Sequence, residues 1–193
     1  MSTSLTTPRN ILITGAAAGI GRAIAETFAD NPECRLILVD NNLAMLREWT
    51  EKTPSQATFD IHQVDISNPV AVQDFIAQIE QQLTYLHVLV NCAGICDENE
   101  PEDIATWKRV IDVNLHGTFH VTALTLPLMA SGGRIINMSS ILGRAGKVRN
   151  TAYCASKHAI VGMTKALALD LAPRKITVNA ILPGWIDTPL LQR

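Results

Sequence analysis

No apolar run in the 193-residue chain approaches the ~20 residues of a membrane-spanning helix. Residues 1–9 lack the apolar core of a secretory signal. Both absences point to a cytoplasmic protein with no membrane partner. Cysteine is scarce, and Cys34, Cys92, Cys96 and Cys154 show neither paired zinc spacing nor a dense disulfide framework. Reduced, buried thiols are expected, and no metal site. His116 and His120 stand four residues apart, but no acidic or cysteine partner lies at ligand spacing, which favours a packed or interface role. No Lys/Arg run occurs and aromatics are too few to interleave with the basic residues, which disfavours nucleic-acid binding. Linkers, low-complexity tracts and internal repeats are missing too. With 47% apolar and 18% charged residues, the composition is that of a soluble globular chain, a single domain over residues 1–193.

The net charge of −2 hides an uneven distribution. Residues 1–103 hold 5 Lys/Arg against 15 Asp/Glu, whereas residues 104–193 hold 11 against 3. A positive surround to an active site is the economical reading of the second half, and a solvated surface the plainer one.

Short apolar runs alternate with longer amphipathic ones. Strands are expected over 10–14, 35–39, 58–64, 87–91, 133–139 and 175–181, with helices over 19–30, 43–52, 70–83, 107–129 and 152–171. Ser67 is the expected cap of the third helix, with Pro69 in its first turn. Continuous apolar strands separated by helices predict an α/β fold, a parallel sheet covered on both faces. Right-handed crossovers make it doubly wound (Rossmann-type), with strand order 3-2-1-4-5-6.

Tyr153-Cys154-Ala155-Ser156-Lys157 places a phenol and an ammonium on one helical face. A cation about 4 Å from a phenolate contributes roughly 4 kcal/mol at an effective dielectric of ~20. That is about three pKa units off the tyrosine, with desolvation opposing. The first strand ends in Thr14-Gly15-Ala16-Ala17-Ala18-Gly19-Ile20-Gly21 and runs into a helix, the context in which glycines and a helix amino terminus hold a pyrophosphate. Asp40 follows the second strand, 19 residues after Gly21. A carboxylate there accepts ribose hydroxyls and repels a 2′-phosphate, which points to NAD rather than NADP.

These residues resemble the short-chain dehydrogenase/reductase family, over nearly the whole chain. Thr14-Gly15-x-x-x-Gly19-Ile20-Gly21 resembles its cofactor loop, and Asp65-Ile66 its adenine-contacting pair. Asn91-Cys92-Ala93-Gly94 is similar to its Asn-Asn-Ala-Gly turn, with Cys92 a departure. Asn114 matches its helix asparagine, and Ser140, 13 residues before Tyr153, its catalytic serine, with Ser139 the adjacent competitor. Pro183-Gly184-x-Ile186-x-Thr188 resembles the segment that holds the nicotinamide carboxamide. The resemblance implies an oxidoreductase that moves a hydride between NAD(H) and a small-molecule alcohol or ketone. Tyr153 would be the general acid/base, Lys157 would lower its pKa and bind the nicotinamide ribose, Ser140 would hold the substrate oxygen, and Asn114 would anchor a relay water. Arg144, Lys147 and Arg149, between Ser140 and Tyr153, are candidates to attract an anionic group on the substrate.

Only five residues follow Thr188, where relatives continue through a substrate-covering segment, further helix and a seventh strand. That shortness supports a second reading, a catalytically weak NAD-binding or interaction protein. A sugar-nucleotide epimerase shares the Tyr/Lys pair but needs a larger substrate domain. The helices at 107–129 and 152–171 are available for a homodimer interface.

Overall fold

The computed structural model describes residues 8–190. Most of the amino-terminal segment read above, and residues 191–193 after Leu190, lie outside that range. Six parallel strands form the sheet: β1 (Arg9–Thr14), β2 (Cys34–Asp40), β3 (Thr58–Gln63), β4 (Leu86–Asn91), β5 (Met129–Met138) and β6 (Thr177–Ile181), in the order β3-β2-β1-β4-β5-β6. This is the expected doubly wound order, and it reverses between β1 and β4.

The strands are apolar on both sides because both sides are covered. Ile11, Leu12 and Ile13 are all fully buried, with Leu12 packed in one core and its two neighbours in the other. One core holds α1 (Gly19–Ala29) and α2 (Leu43–Lys52) through Ala25, Leu46 and Trp49. The opposite core holds α3 (Pro69–Glu80), through Phe75, Ile76 and Ile79, together with Val121 and Leu171 from later helices.

Three local expectations are corrected. Asn68, not Ser67, caps α3: its Oδ1 accepts from the N–H groups of Val70 (3.0 Å) and Ala71 (3.3 Å), while Ser67 donates its hydroxyl to Asp65 (2.7 Å). The helix expected over 107–129 is broken. It starts earlier as α4 (Ile104–Ile111), because Asp103 accepts from the Thr106 N–H at 3.0 Å. It widens into a π-helical turn over Asp112–Gly117, resumes as α5 (Thr118–Thr125), and ends in a 3-10 turn containing Pro127. The last strand begins at Thr177, two residues later than its apolar run, because Lys175 takes a left-handed conformation (φ 58°) after the preceding 3-10 turn. The final helix, α6 (Thr151–Leu171), runs as expected within a residue. Among the described residues no helix is long and apolar enough to cross a membrane.

Candidate active site

A cavity of about 390 Å³ opens at the carboxyl ends of the strands, where the strand order reverses. Its floor is the loop between β1 and α1. Gly15 and Gly19 hold positive φ (69° and 54°). A Cβ on Gly15 would lie 2.7 Å from Ala93 Cα, and one on Gly21 2.2 Å from the Gly15 carbonyl oxygen. Thr14 locks this loop to the next: its Oγ1 accepts from the N–H groups of Cys92 (3.1 Å) and Ala93 (3.2 Å). No side chain caps α1, whose first-turn N–H groups are left for a ligand.

Asp40, at the end of β2, lines the cavity and braces the loop, accepting from Ala17 N–H (3.0 Å) and Asn42 N–H (2.9 Å). Asp65 and Ile66 line the cavity after β3, and Ala93 and Gly94 after β4. Asn91 is set apart from them. Its amide donates into the interior, to Thr122 and Asn137 (both 2.9 Å), so its side chain ties β4 to β5 and α5 rather than facing a ligand. Ile20 joins the lining from the first turn of α1, and Pro183, Gly184, Ile186 and Thr188 line the cavity after β6. Pro183 is held by its carbonyl on the Ile141 N–H (2.9 Å).

The reactive groups converge from β5 and α6. Ser140 and Ser139 follow β5 but diverge: Ser139 donates to the Lys157 carbonyl (2.8 Å), whereas the Ser140 hydroxyl accepts from Leu142 N–H (3.1 Å) and stands beside the Tyr153 phenol, whose pKa it lowers. Tyr153 and Lys157 are both buried at the cavity wall, and the Lys157 ammonium donates to the Met138 carbonyl (2.9 Å) and lies 5.5 Å from the centre of the Tyr153 ring. Burial dominates both. It pushes Tyr153 up to about 12, against the lowering effect of the neighbouring Ser140 hydroxyl, and Lys157 down to about 8. In this state burial, not the lysine, sets the direction for Tyr153.

Lys157 gives a stability prediction. Between about pH 8 and its unfolded value near 10.4 the unfolded chain binds the extra proton, so stability rises with pH across that window, by up to about 3 kcal/mol. Tyr153 acts oppositely, above pH ~10. Lys157→Met should remove the rise. Denaturant midpoints of both proteins from pH 7.5 to 10 check it, and parallel profiles would contradict it.

Asn114 sits on the π-helical turn with its amide fully engaged: Oδ1 accepts from Ile95 N–H (2.8 Å), while Nδ2 donates to the Ile95 carbonyl (2.9 Å) and Ser156 (3.2 Å). Both amide protons are committed, so its side chain holds the Ile95 turn against α6. A Cβ on Gly94 would lie 3.1 Å from this amide and 3.5 Å from the Lys157 nitrogen.

Several residues had no signature in the sequence. The amino terminus of α6 is capped from a distance: Asn99, 2% exposed, accepts from Ala152 N–H (3.1 Å), and its own N–H donates to the Arg149 carbonyl (2.9 Å). Cys96 donates to Asn150 (3.5 Å) across the same seam. Arg149 pairs with Glu100 (3.0 Å) and Glu98 (3.6 Å). Of the three cations between Ser140 and Tyr153, Lys147 alone lines the cavity. All four cysteines are free, and burial raises the Cys96 thiol and pushes Cys92 up to about 11. His116 pairs with Asp112 (3.0 Å), and His120 faces the Ile66 carbonyl (3.4 Å).

The site fits a dinucleotide cofactor: a cavity floored by a glycine loop whose tight turn leaves no room for side chains at Gly15 and Gly21, uncapped N–H groups at α1, a carboxylate after β2, and a buried ammonium opposite. A family model described as short chain dehydrogenase matches residues 9–193. The uncharacterized oxidoreductase YxbG of Bacillus subtilis is 39% identical, over 96% of this chain and 69% of that protein. The 3-oxoacyl-[acyl-carrier-protein] reductase FabG of Thermotoga maritima is 36% identical, over 94% and 76%. Among solved structures, levodione reductase superposes with a TM-score of 0.87 at 30% identity, over 95% of this chain and 74% of that one.

Proposed function

The chain belongs to the short chain dehydrogenase family, oxidoreductases that use nicotinamide cofactors, and on that premise we propose that it moves a hydride between NAD(H) and a small-molecule alcohol or ketone. One observation carries the reading: Tyr153, Ser140 and Lys157 line one cavity together with the glycine loop. When bound, the cofactor supplies the hydride chemistry and, in its oxidised form, a positive ring that favours the phenolate.

The remaining work falls to the chain. Ser140 steers the substrate oxygen toward Tyr153 with its hydroxyl. Tyr153, a neutral phenol at rest, gives its proton to a ketone oxygen or takes one from an alcohol. Lys157, with its lowered pKa, passes protons on readily near neutral pH. Asn114 is a positioning residue, acting through Ile95 and Ser156. Asp40 selects the ribose end, where its carboxylate favours NAD over NADP. Exposed Ile104, Trp107 and Phe119, with Leu169 on α6, support a homodimer through these helices.

The test is a reduction screen with NAD+ over alcohols and hydroxy acids beside an NADP+ arm, repeated with Asp40→Asn. NAD+ should be preferred, and the variant should lower the NAD+/NADP+ ratio of kcat/KM about tenfold or more through loss of the repelling charge. Silence across the panel with clear NAD binding would favour a nucleotide-binding protein instead.

A further inference from the structure

We propose that Lys147 receives a carboxylate on the substrate, so that the compound turned over is a hydroxy acid or keto acid; this rests on the hydride-transfer reading above and adds its substrate class. Two lysines line the cavity, and they differ in kind. Lys157 is 5% exposed and spends a proton on the Met138 carbonyl. Lys147 keeps 35% of its side chain exposed, and its nitrogen stands 5.2 Å from the centre of the Trp185 ring. An aromatic face attracts an ammonium without neutralising it.

The ion pair found for Lys147 is a long one, 3.9 Å to Glu98, and Glu98 is shared with Arg149 at 3.6 Å. An incoming carboxylate at hydrogen-bond distance therefore competes well for this ammonium. Glu98 also lines the cavity, and its charge repels a dianion twice as strongly as a monoanion.

The surroundings suit the rest of such a molecule. Trp185 and Leu142 offer apolar wall, and the Cys96 thiol, raised by burial, is neutral. A keto acid would be held at two points, its oxygen by Ser140 and Tyr153 and its carboxylate by Lys147, which orients the carbonyl face.

Keto acids and their uncharged amides are offered in pairs to the full chain with NADH. The wild type should prefer acid over amide in kcat/KM by about tenfold or more, as a hydrogen bond to a charged group requires. Lys147→Ala should erase that preference chiefly through KM, Lys147→Arg should keep most of it, and Lys147→Glu should invert it. Arg144→Ala, outside the cavity lining, is the control with an unchanged ratio. NADH titration, which reads the glycine-loop end, verifies that each variant is folded. No acid preference in the wild type, or a ratio unmoved by Lys147→Ala, overturns the proposal and leaves hydride transfer standing. A chain inert toward both members of every pair overturns the hydride-transfer reading and this one together.

Discussion

Tyr153→Phe should cut kcat by about a thousandfold or more while NADH binding stays within a few-fold of wild type. General acid–base catalysis by a positioned side chain contributes 10²–10⁴-fold, and the phenol stands beside Ser140 at the cavity wall. The substitution is structurally mild, since the ring packs with Val110, Leu142 and Ala152. It removes one hydroxyl and leaves the ring in place. Steady-state kinetics beside a fluorescence titration with NADH separate the two effects. Near-normal turnover would remove Tyr153 from proton transfer.

Gly21→Ala should do the converse, destroying cofactor affinity with every reactive group intact. The added methyl would stand 2.2 Å from the Gly15 carbonyl oxygen, a backbone atom that no side-chain rotation can clear. Gly15 cannot retreat either, because it lies against Ala93 and the neighbouring Thr14 holds both Cys92 and Ala93. The loop must therefore distort, at about 1–3 kcal/mol in stability. A weakening of NADH binding by about thirtyfold is expected, on the order of 2 kcal/mol. Wild-type affinity in this variant would mean that the loop is not the cofactor cradle.

The same two positions mark what the sequence could and could not reveal. Glycine spacing after an apolar strand is a backbone demand, written where it acts, so the cradle was legible. The six-strand order followed from apolar periodicity and the handedness of crossovers. Ser139 and Ser140, by contrast, are chemically alike and adjacent; their separate partners, the Lys157 carbonyl for one and the Leu142 N–H for the other, emerge only in the fold. The direction of the Tyr153 shift lies beyond the sequence for a related reason. Spacing on a helix shows that two side chains share a face, but not how much water each loses, and burial governs here. Asn68 displaced Ser67 as a cap because Asp65 claimed the serine first. The π-helical turn that aims Asn114, and the capping of α6 by Asn99, depend on contacts between segments far apart in the chain.

That distant cap has a consequence for remodelling the enzyme. The segment carrying Cys96, Glu98 and Asn99 and the segment carrying Lys147, Arg149 and Asn150 complete one another: each supplies half of a seam of hydrogen bonds and ion pairs. Both also contribute to the cavity lining, and the seam ends one residue before Tyr153. The two loops therefore behave as a single interchangeable cassette. Grafting either one alone from a relative of different specificity would leave an uncapped helix directly under the reactive phenol, whereas moving both together carries a new pocket onto an undisturbed catalytic frame.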